Sequence, residues 1–370
     1  MCLASDGVSD PEDGAIKVRP ITTKDGCTYL QCGTFKNLSY VMGPLINNLE
    51  KLGYQDGYNM FPVPYDWRIP PHFLEQRDGY FTNLKSKIES VYEALQKPIV
   101  LIGHSMGNRI LHYFFNFVLD KFGKDWIDKY IHTWMAVGAP WLGAPKALRA
   151  MISGERMGLE ALLSRQDSVL FARRMGSSMF LFPIKEELYW NNFHEVGLKG
   201  KTFVYLKSKL NSKSQKNEEN GNIEDYKAVP HDQLFTRFGC PEISHFFQEY
   251  YLQNPYFGGE DMAVLTPPPV KRLYNIYGVD MDTEKLYFYE NKKGQYKLSK
   301  NCTVNVENHV QKEGIVYETK ETIQLSLKNA GKKNFCCSGD GTVPYESLSY
   351  PNTHWKDKLE VRTAELKNVE

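Results

Sequence analysis

Apolar and polar positions along this chain switch between a helical and a strand-like period. Leu45, Leu49 and Leu52 fall at helical spacing within Met42–Leu52, and Gly53 supplies a stop. Tyr58–Tyr65 reads as a strand leading into Asp66-Trp67-Arg68. Gln76–Leu95 places Leu84, Ile88, Val91 and Leu95 on one side of a long helix. Ile99–Ile102, apolar and mostly β-branched, predicts a buried strand, and an amphipathic helix pattern starts just beyond it. Ile131–Val137 is a further strand, closed by Gly138-Ala139-Pro140-Trp141-Leu142-Gly143-Ala144-Pro145. Strand, helix, strand, helix, strand in this order predicts an α/β fold on a mostly parallel sheet. Sites in such sheets form beyond the carboxyl ends of the strands, where Asp66, Ser105 and the Gly138–Pro145 loop are expected.

From Lys146 the pattern turns helical and irregular, and the polar run 207–222 reads as a solvated loop insertion. Residues 1–145 and 263–370 are therefore read as two parts of one core, and 146–262 as a cap over it. Val270–Gly278 returns to a strand pattern. Leu286–Glu290 and Thr322–Leu327 suggest an antiparallel excursion around a turn at Lys292-Lys293-Gly294, and Lys358–Leu366 alternates like a last strand.

Between the Ile99–Ile102 strand and its helix stands Gly103-His104-Ser105-Met106-Gly107, a G-x-S-x-G sequence. A turn this tight needs glycine on both sides and lifts the serine hydroxyl above the sheet, with the Met106 N–H facing a developing oxyanion. The plainer alternative is a Gly-rich turn. Ser338-Gly339-Asp340-Gly341-Thr342 either aims the Asp340 carboxylate inward to orient a histidine or forms a turn capping the helix near Glu346. Serine before acid matches the chain order of α/β-hydrolases, which place the histidine last. Only His354 follows Asp340, but it precedes the Lys358–Leu366 strand and so falls at the wrong edge of the sheet. The base is expected beyond Leu366. His104 fills and supports the elbow, and His112 lies in the helix behind it. Asp66-Trp67-Arg68 is either a turn held by an Arg–Asp pair or a support of the site from the neighbouring strand end.

Composition adds modest constraints. The 370 residues are 42% hydrophobic and 24% charged with net charge +1, so nucleic acid is not an expected partner. Aromatics reach 13%, which fits a lipid-facing pocket or an aromatic-rich core. Seven cysteines exclude complete pairing. Cys27 and Cys32 suit a small loop, whereas Cys336 and Cys337 are adjacent and awkward to join. Asn37-Leu38-Ser39 and Asn301-Cys302-Thr303 fit the glycosylation triplet, which matters only in a secreted protein. Met1–Asp10 has neither a basic start nor an apolar core, and no apolar run approaches the ~20 residues of a membrane span. A soluble chain without a targeting segment is expected.

Pro64–Arg68, Gly103–Gly107, Ala136–Pro145, Ile152–Gly154 and Ser338–Tyr345 occur together in this order. In that combination, from about residue 16 to the end, the chain resembles the lecithin:cholesterol acyltransferase family. Trp126–Pro140 leans towards its phospholipid:sterol and phospholipid:diacylglycerol acyltransferase branches. The resemblance implies an α/β-hydrolase fold in which Ser105 takes an acyl chain from a glycerophospholipid. Asp340 is then the triad acid, and the Met106 N–H half of the oxyanion hole. The acceptor is a sterol, a diacylglycerol or water, at a membrane or lipid surface, with no metal or nucleotide cofactor. Two family features find no counterpart: an upstream apolar strand whose Pro-Gly loop gives the second oxyanion donor, with a membrane-binding region, and a histidine after the last strand. The chain thus reads as cut at both ends, with a gap or substitute expected between the Tyr58–Tyr65 and Ile99–Ile102 strands. Losing one oxyanion donor costs about 2–4 kcal/mol in the barrier, so little activity is expected of these residues alone. A phospholipase A-type hydrolase and a non-catalytic lipid-binding remnant are the alternatives.

Overall fold

The computed structural model describes residues 3–11, 17–29, 39–156, 163–190, 202–208, 225–259, 261–300, 302, 310–319 and 337–367. The polar run beyond residue 208, the Thr322–Leu327 strand, Cys32, Cys336, Asn37 and Asn301 lie outside these residues. Helix α1 (Gly43–Lys51) carries proline in its first turn and ends two residues before Gly53. The single helix expected over Gln76–Leu95 is instead two. α2 (Pro71–Asp78) closes at Gly79, whose φ of 59° redirects the chain into α3 (Tyr80–Leu95). α4 (Met106–Phe122), α5 (Lys124–Tyr130) and α6 (Pro145–Ser153) follow, and α7 (Tyr345–His354) lies near the end.

The described strands are β1 (Ile99–His104), β2 (Ile131–Val137), β3 (Val204–Lys207), β4 (Tyr226–Ala228), β5 (Arg272–Val279), β6 (Thr283–Lys292), β7 (Gln295–Leu298), β8 (Val310–Lys312), β9 (Ile315–Glu318) and β10 (Glu360–Lys367). One sheet runs β1-β2-β5-β10 with every pair parallel. Helices between successive parallel strands carry the chain back to the starting edge, so the carboxyl ends of all four strands meet at one rim. The second sheet runs β4-β3-β6-β9-β8, with β7 also on β6. Lys293 and Gly294, at φ 54° and 83°, make the two-residue turn between β6 and β7, in the positive-φ geometry that such hairpins favour. Strands from 204–228 and 283–318 thus share one sheet.

Tyr58–Tyr65 forms no strand. Residues 61–66 join no ladder, and Pro62 and Pro64 have no N–H to contribute to one. Among the described residues no strand pairs with the outer side of β1, which forms the sheet's edge with Val100 46% exposed.

The aromatic residues largely fill the core. Trp141 packs on Trp355 at 4.9 Å and on Trp134 at 5.2 Å, and His112 meets Trp355 at 5.4 Å. Burial holds the His112 imidazole neutral, its pKa pushed down to about 3. Among the described residues no helix is long and apolar enough to cross a membrane.

Asp66-Trp67-Arg68 closes on itself. Arg68 grips both Asp66 carboxylate oxygens at 2.8 Å, and Arg77 Nη2 reaches Oδ2 at 2.9 Å. The Asp66 and Arg68 side chains are each 3% exposed. Burial raises the Asp66 pKa, but the hydrogen bonds from Arg68 and Arg77 outweigh it and leave the pKa below the ordinary 3.8. This group therefore stabilises the fold above pH 3.8 and loses that contribution as pH falls through its lower folded pKa. Asp66→Ala, which strands a buried guanidinium, is expected to cost about 3–5 kcal/mol in urea unfolding at pH 7, with a smaller difference at pH 3.

Candidate active site

Gly103–Gly107 spans the junction of β1 and α4. Ser105 takes φ 49° and ψ −126°, a conformation that costs a non-glycine residue of order 1–3 kcal/mol. Neighbouring groups hold it there. The Ser105 N–H donates to the Val137 carbonyl on β2 at 2.9 Å. Asn108 Nδ2 donates to that same carbonyl at 3.0 Å and to the Ser105 carbonyl at 3.3 Å. Asn108 Oδ1 in turn accepts from Trp134 Nε1 at 3.2 Å. A Cβ on Gly103 would stand 2.4 Å from Asn108 Oδ1, so only glycine admits this lock. The Ser105 hydroxyl does not cap the helix. Met106 opens the 17-residue α4, and its N–H belongs to the first-turn donors at the positive end of the helix dipole.

Asp340 sits at the same rim. Its Oδ2 lies 3.7 Å from where a Cβ would stand on Gly138, the residue after the Val137 that binds Ser105 N–H. Its own Cβ is 3.5 Å from the corresponding point on Gly278 of β5. Ser105 and Asp340 therefore flank the carboxyl end of β2. Oδ1 accepts from Thr342 N–H at 2.9 Å and Val343 N–H at 2.8 Å, closing a local turn, but Asp340 does not cap α7, whose N-cap is Pro344. Burial pushes the Asp340 pKa up, against those hydrogen bonds and the charge of His104. His104 faces solvent at the end of β1. The packed rim beneath it lowers its pKa, and Asp340 pulls the other way. Among the described residues, His104 is the histidine that feels Asp340. His354 ends α7, stacked on Tyr350 at 4.2 Å, ahead of β10. It therefore lies at the amino end of the sheet, away from the acid.

The Gly138–Pro145 loop ties the rim together. Fully buried Arg109 donates from Nη1 to the Trp141 carbonyl at 2.7 Å and the Pro140 carbonyl at 3.1 Å. Burial lowers its pKa to about 9, with Tyr251 pulling the other way. Ser347 Oγ accepts from Leu142 N–H at 3.0 Å and donates to the Gly143 carbonyl at 2.7 Å, joining α7 to the loop. The Asp66 ion cluster holds the turn after Tyr65, whose hydroxyl lies 4.0 Å from the Cβ point of Gly107. Burial raises the Tyr65 pKa and keeps the phenol neutral. Motif reading passed over Asn108, Arg109 and Tyr65. For Asn108 there was a signal, since an amide three residues after the serine can fold back over the helix start.

A parallel sheet whose strand ends in a strained serine elbow defines an α/β-hydrolase-type protein. The sequence places it further. The profile of the lecithin:cholesterol acyltransferase family matches residues 3–370, and the chain belongs to that family. It is 27% identical over 339 residues to the phospholipid:diacylglycerol acyltransferase of Saccharomyces cerevisiae, covering 82% of this chain and 47% of that one. With the phospholipid–sterol O-acyltransferase of Arabidopsis thaliana it shares 26% identity, over 98% of this chain and 62% of the relative. The lysosomal phospholipase A and acyltransferase of Mus musculus is 28% identical over 69% of this chain and 52% of its own. The chain thus spans about half to three-fifths of these relatives' lengths. A chain of the Tle4–Tli4 complex overlays 83% of this chain and 61% of its own at TM-score 0.40 and 12% identity, a likeness too slight to inform fold or function.

The Asn108 lock predicts coupled losses. Asn108→Ala strands the buried Trp134 N–H and is expected to cost about 1–3 kcal/mol in chemical denaturation. Gly103→Ala costs a similar amount by crowding Asn108. The double variant should lose clearly less than the two losses added together, because its alanines remove both the clash and its partner.

Proposed function

We propose that Ser105 is the nucleophile of an O-acyltransferase acting on glycerophospholipids. Its Oγ attacks the ester carbonyl, the Met106 N–H donates to the resulting oxyanion, and the C–O bond to the glycerol breaks. The lysophospholipid leaves with a proton, and the acyl-enzyme passes its acyl group to an acceptor hydroxyl while Ser105 regains its proton. Asp340 is the acid that orients and stabilises a protonated base. His104 supports the elbow, and Asp66 supports the site by fixing the loop before α2. The observation that carries this reading is the strained Ser105 turn facing the Asp340 loop across the end of β2.

A sterol or diacylglycerol is the proposed acceptor, supported by the names of the yeast and Arabidopsis relatives. Water is the alternative, supported by the phospholipase A in the name of the mouse relative. A membrane or lipid surface, where donor and acceptor are concentrated, is the proposed working environment. Turnover by residues 1–370 alone is proposed to be slow, since no described histidine hydrogen-bonds Asp340. A non-catalytic lipid-binding role is the further alternative, and it predicts an idle serine.

A fluorophosphonate probe read by mass spectrometry separates these. Covalent labelling of Ser105 is expected, absent in Ser105→Ala and at least about tenfold slower in Asp340→Asn. Intact Ser105 after prolonged exposure would refute the nucleophile. Labelled phospholipid offered with sterol, with diacylglycerol or with neither then identifies the acceptor by its product.

A further inference from the structure

The loop that carries Asp340 is held as much from outside as from within itself. Glu318, the last residue of β9, is fully buried, and its Oε1 accepts from Gly339 N–H at 2.7 Å and Tyr345 N–H at 2.8 Å. Those two amides bracket Asp340. Between them, Gly341 N–H donates to Thr283 Oγ1 on β6 at 2.9 Å, and Asp340 N–H to the Val343 carbonyl at 3.2 Å. Thr342 and Val343 donate to the Asp340 carboxylate itself. Every backbone donor from 339 to 345 is thereby engaged, three of them by the second sheet. The loop has no slack: a Cβ on Gly339 would fall 2.1 Å from the Val343 carbonyl oxygen.

The other oxygen of Glu318 meets Lys285 of β6 at 3.2 Å. Lys285, 1% exposed, also donates to Glu346 in the first turn of α7 at 2.6 Å. Two carboxylates thus share one buried ammonium, and Glu346 Oε2 has no hydrogen-bond partner. One positive charge does not neutralise two negative ones in a dry site.

We infer that Glu318 is a positioning residue for the acid loop, clasping the amides on either side of Asp340, and that its grip depends on the charge state it shares with Lys285 and Glu346. This rests on the reading of Asp340 as the site's acid. A carboxylate accepts hydrogen bonds from amides about twice as strongly as a neutral acid does, so ionisation of Glu318 tightens the loop. Burial, countered by Lys285 and reinforced by Glu346, raises the Glu318 pKa from the ordinary 4.5 to about 7. The signs of two effects then differ. The folded state holds this proton more tightly than the unfolded chain, so the Glu318 contribution to global stability declines as pH rises from 4.5 to about 7. Loop protection rises over the same interval. A merely structural buried glutamate would not split the two.

Hydrogen–deuterium exchange of the full chain, corrected for intrinsic pH dependence and followed from pH 5.5 to 8.5, reads both. Protection of peptides covering 338–345 is expected to rise severalfold through about pH 7, while β1 and α4 do not follow. Glu318→Gln, a neutral acceptor of the same shape, is expected to flatten that rise and leave the loop severalfold less protected at pH 8. Glu346→Gln, on a partly exposed helix start, removes the like charge and is expected to move the rise to lower pH, which keeps the test open if Glu318→Gln folds poorly. Unchanged loop protection in Glu318→Gln, loosening spread evenly through α4 and β5, or no shift in Glu346→Gln would each overturn the inference. Fluorophosphonate labelling of Ser105 separates this from the site reading. If Asp340→Asn slows labelling and Glu318→Gln does not, the positioning role fails and the site stands. If Asp340→Asn leaves labelling unchanged, the site reading itself fails. Slowing in both, with the Glu318→Gln deficit greatest above pH 7, is the expected result.

Discussion

A serine at φ 49° is the constraint on which the rest of this structure depends. Such a residue persists only where its surroundings stabilise the turn by more than the strain costs. Here the parallel pairing of β1 with β2 brings the Val137 carbonyl to the Ser105 amide, and Asn108 folds back over the same carbonyl. Gly103 leaves room for Asn108, and Trp134 fixes the far side of its amide. The turn and the sheet register are one device, since a slip of β1 against β2 would remove the acceptor that holds Ser105.

From that point outward the rim is built by connections that run between elements distant in sequence. The Gly138–Pro145 loop is fastened by Arg109 from α4 and by Ser347 from α7. α7 follows directly on the Asp340 loop, so the fastening that shapes one side of the rim also locates the other. The second sheet completes the frame through Thr283 and Glu318. The Asp340 carboxylate beside β5 is thus placed opposite a serine at the end of β1 by a chain of short contacts, completed by the two amides that donate to Asp340 itself.

Much of this was legible in the sequence where local pattern and chemistry coincide. The Ile99–Ile102 strand, its helix, Ile131–Val137 and Val270–Gly278 each show an apolar run or an apolar period of the right length. Tyr58–Tyr65 misled because β-favouring residues alternate with prolines that cannot donate to a ladder. Gln76–Leu95 misled because one glycine, Gly79, interrupts a helical pattern without disturbing its apolar spacing. At the site, Ser105 and Asp340 stand in glycine-flanked turns that are visible by eye, and Asn108 leaves a local signal three residues after the serine. Arg109 and Glu318 were not visible, because their roles depend on partners 32 and 21 residues away. The aromatic excess was ambiguous in composition alone, and the Trp134–Trp141–Trp355 packing assigns much of it to the core.

The most direct measurement is a crystal structure of the chain after reaction with a fluorophosphonate. The expected result is a phosphonyl group on Ser105 Oγ, one of its oxygens within hydrogen-bond distance of the Met106 N–H, and the Asp340 carboxylate at the same end of β2. An adduct on another residue, or Ser105 relaxed into regular helix with Asp340 turned away from the rim, would contradict it.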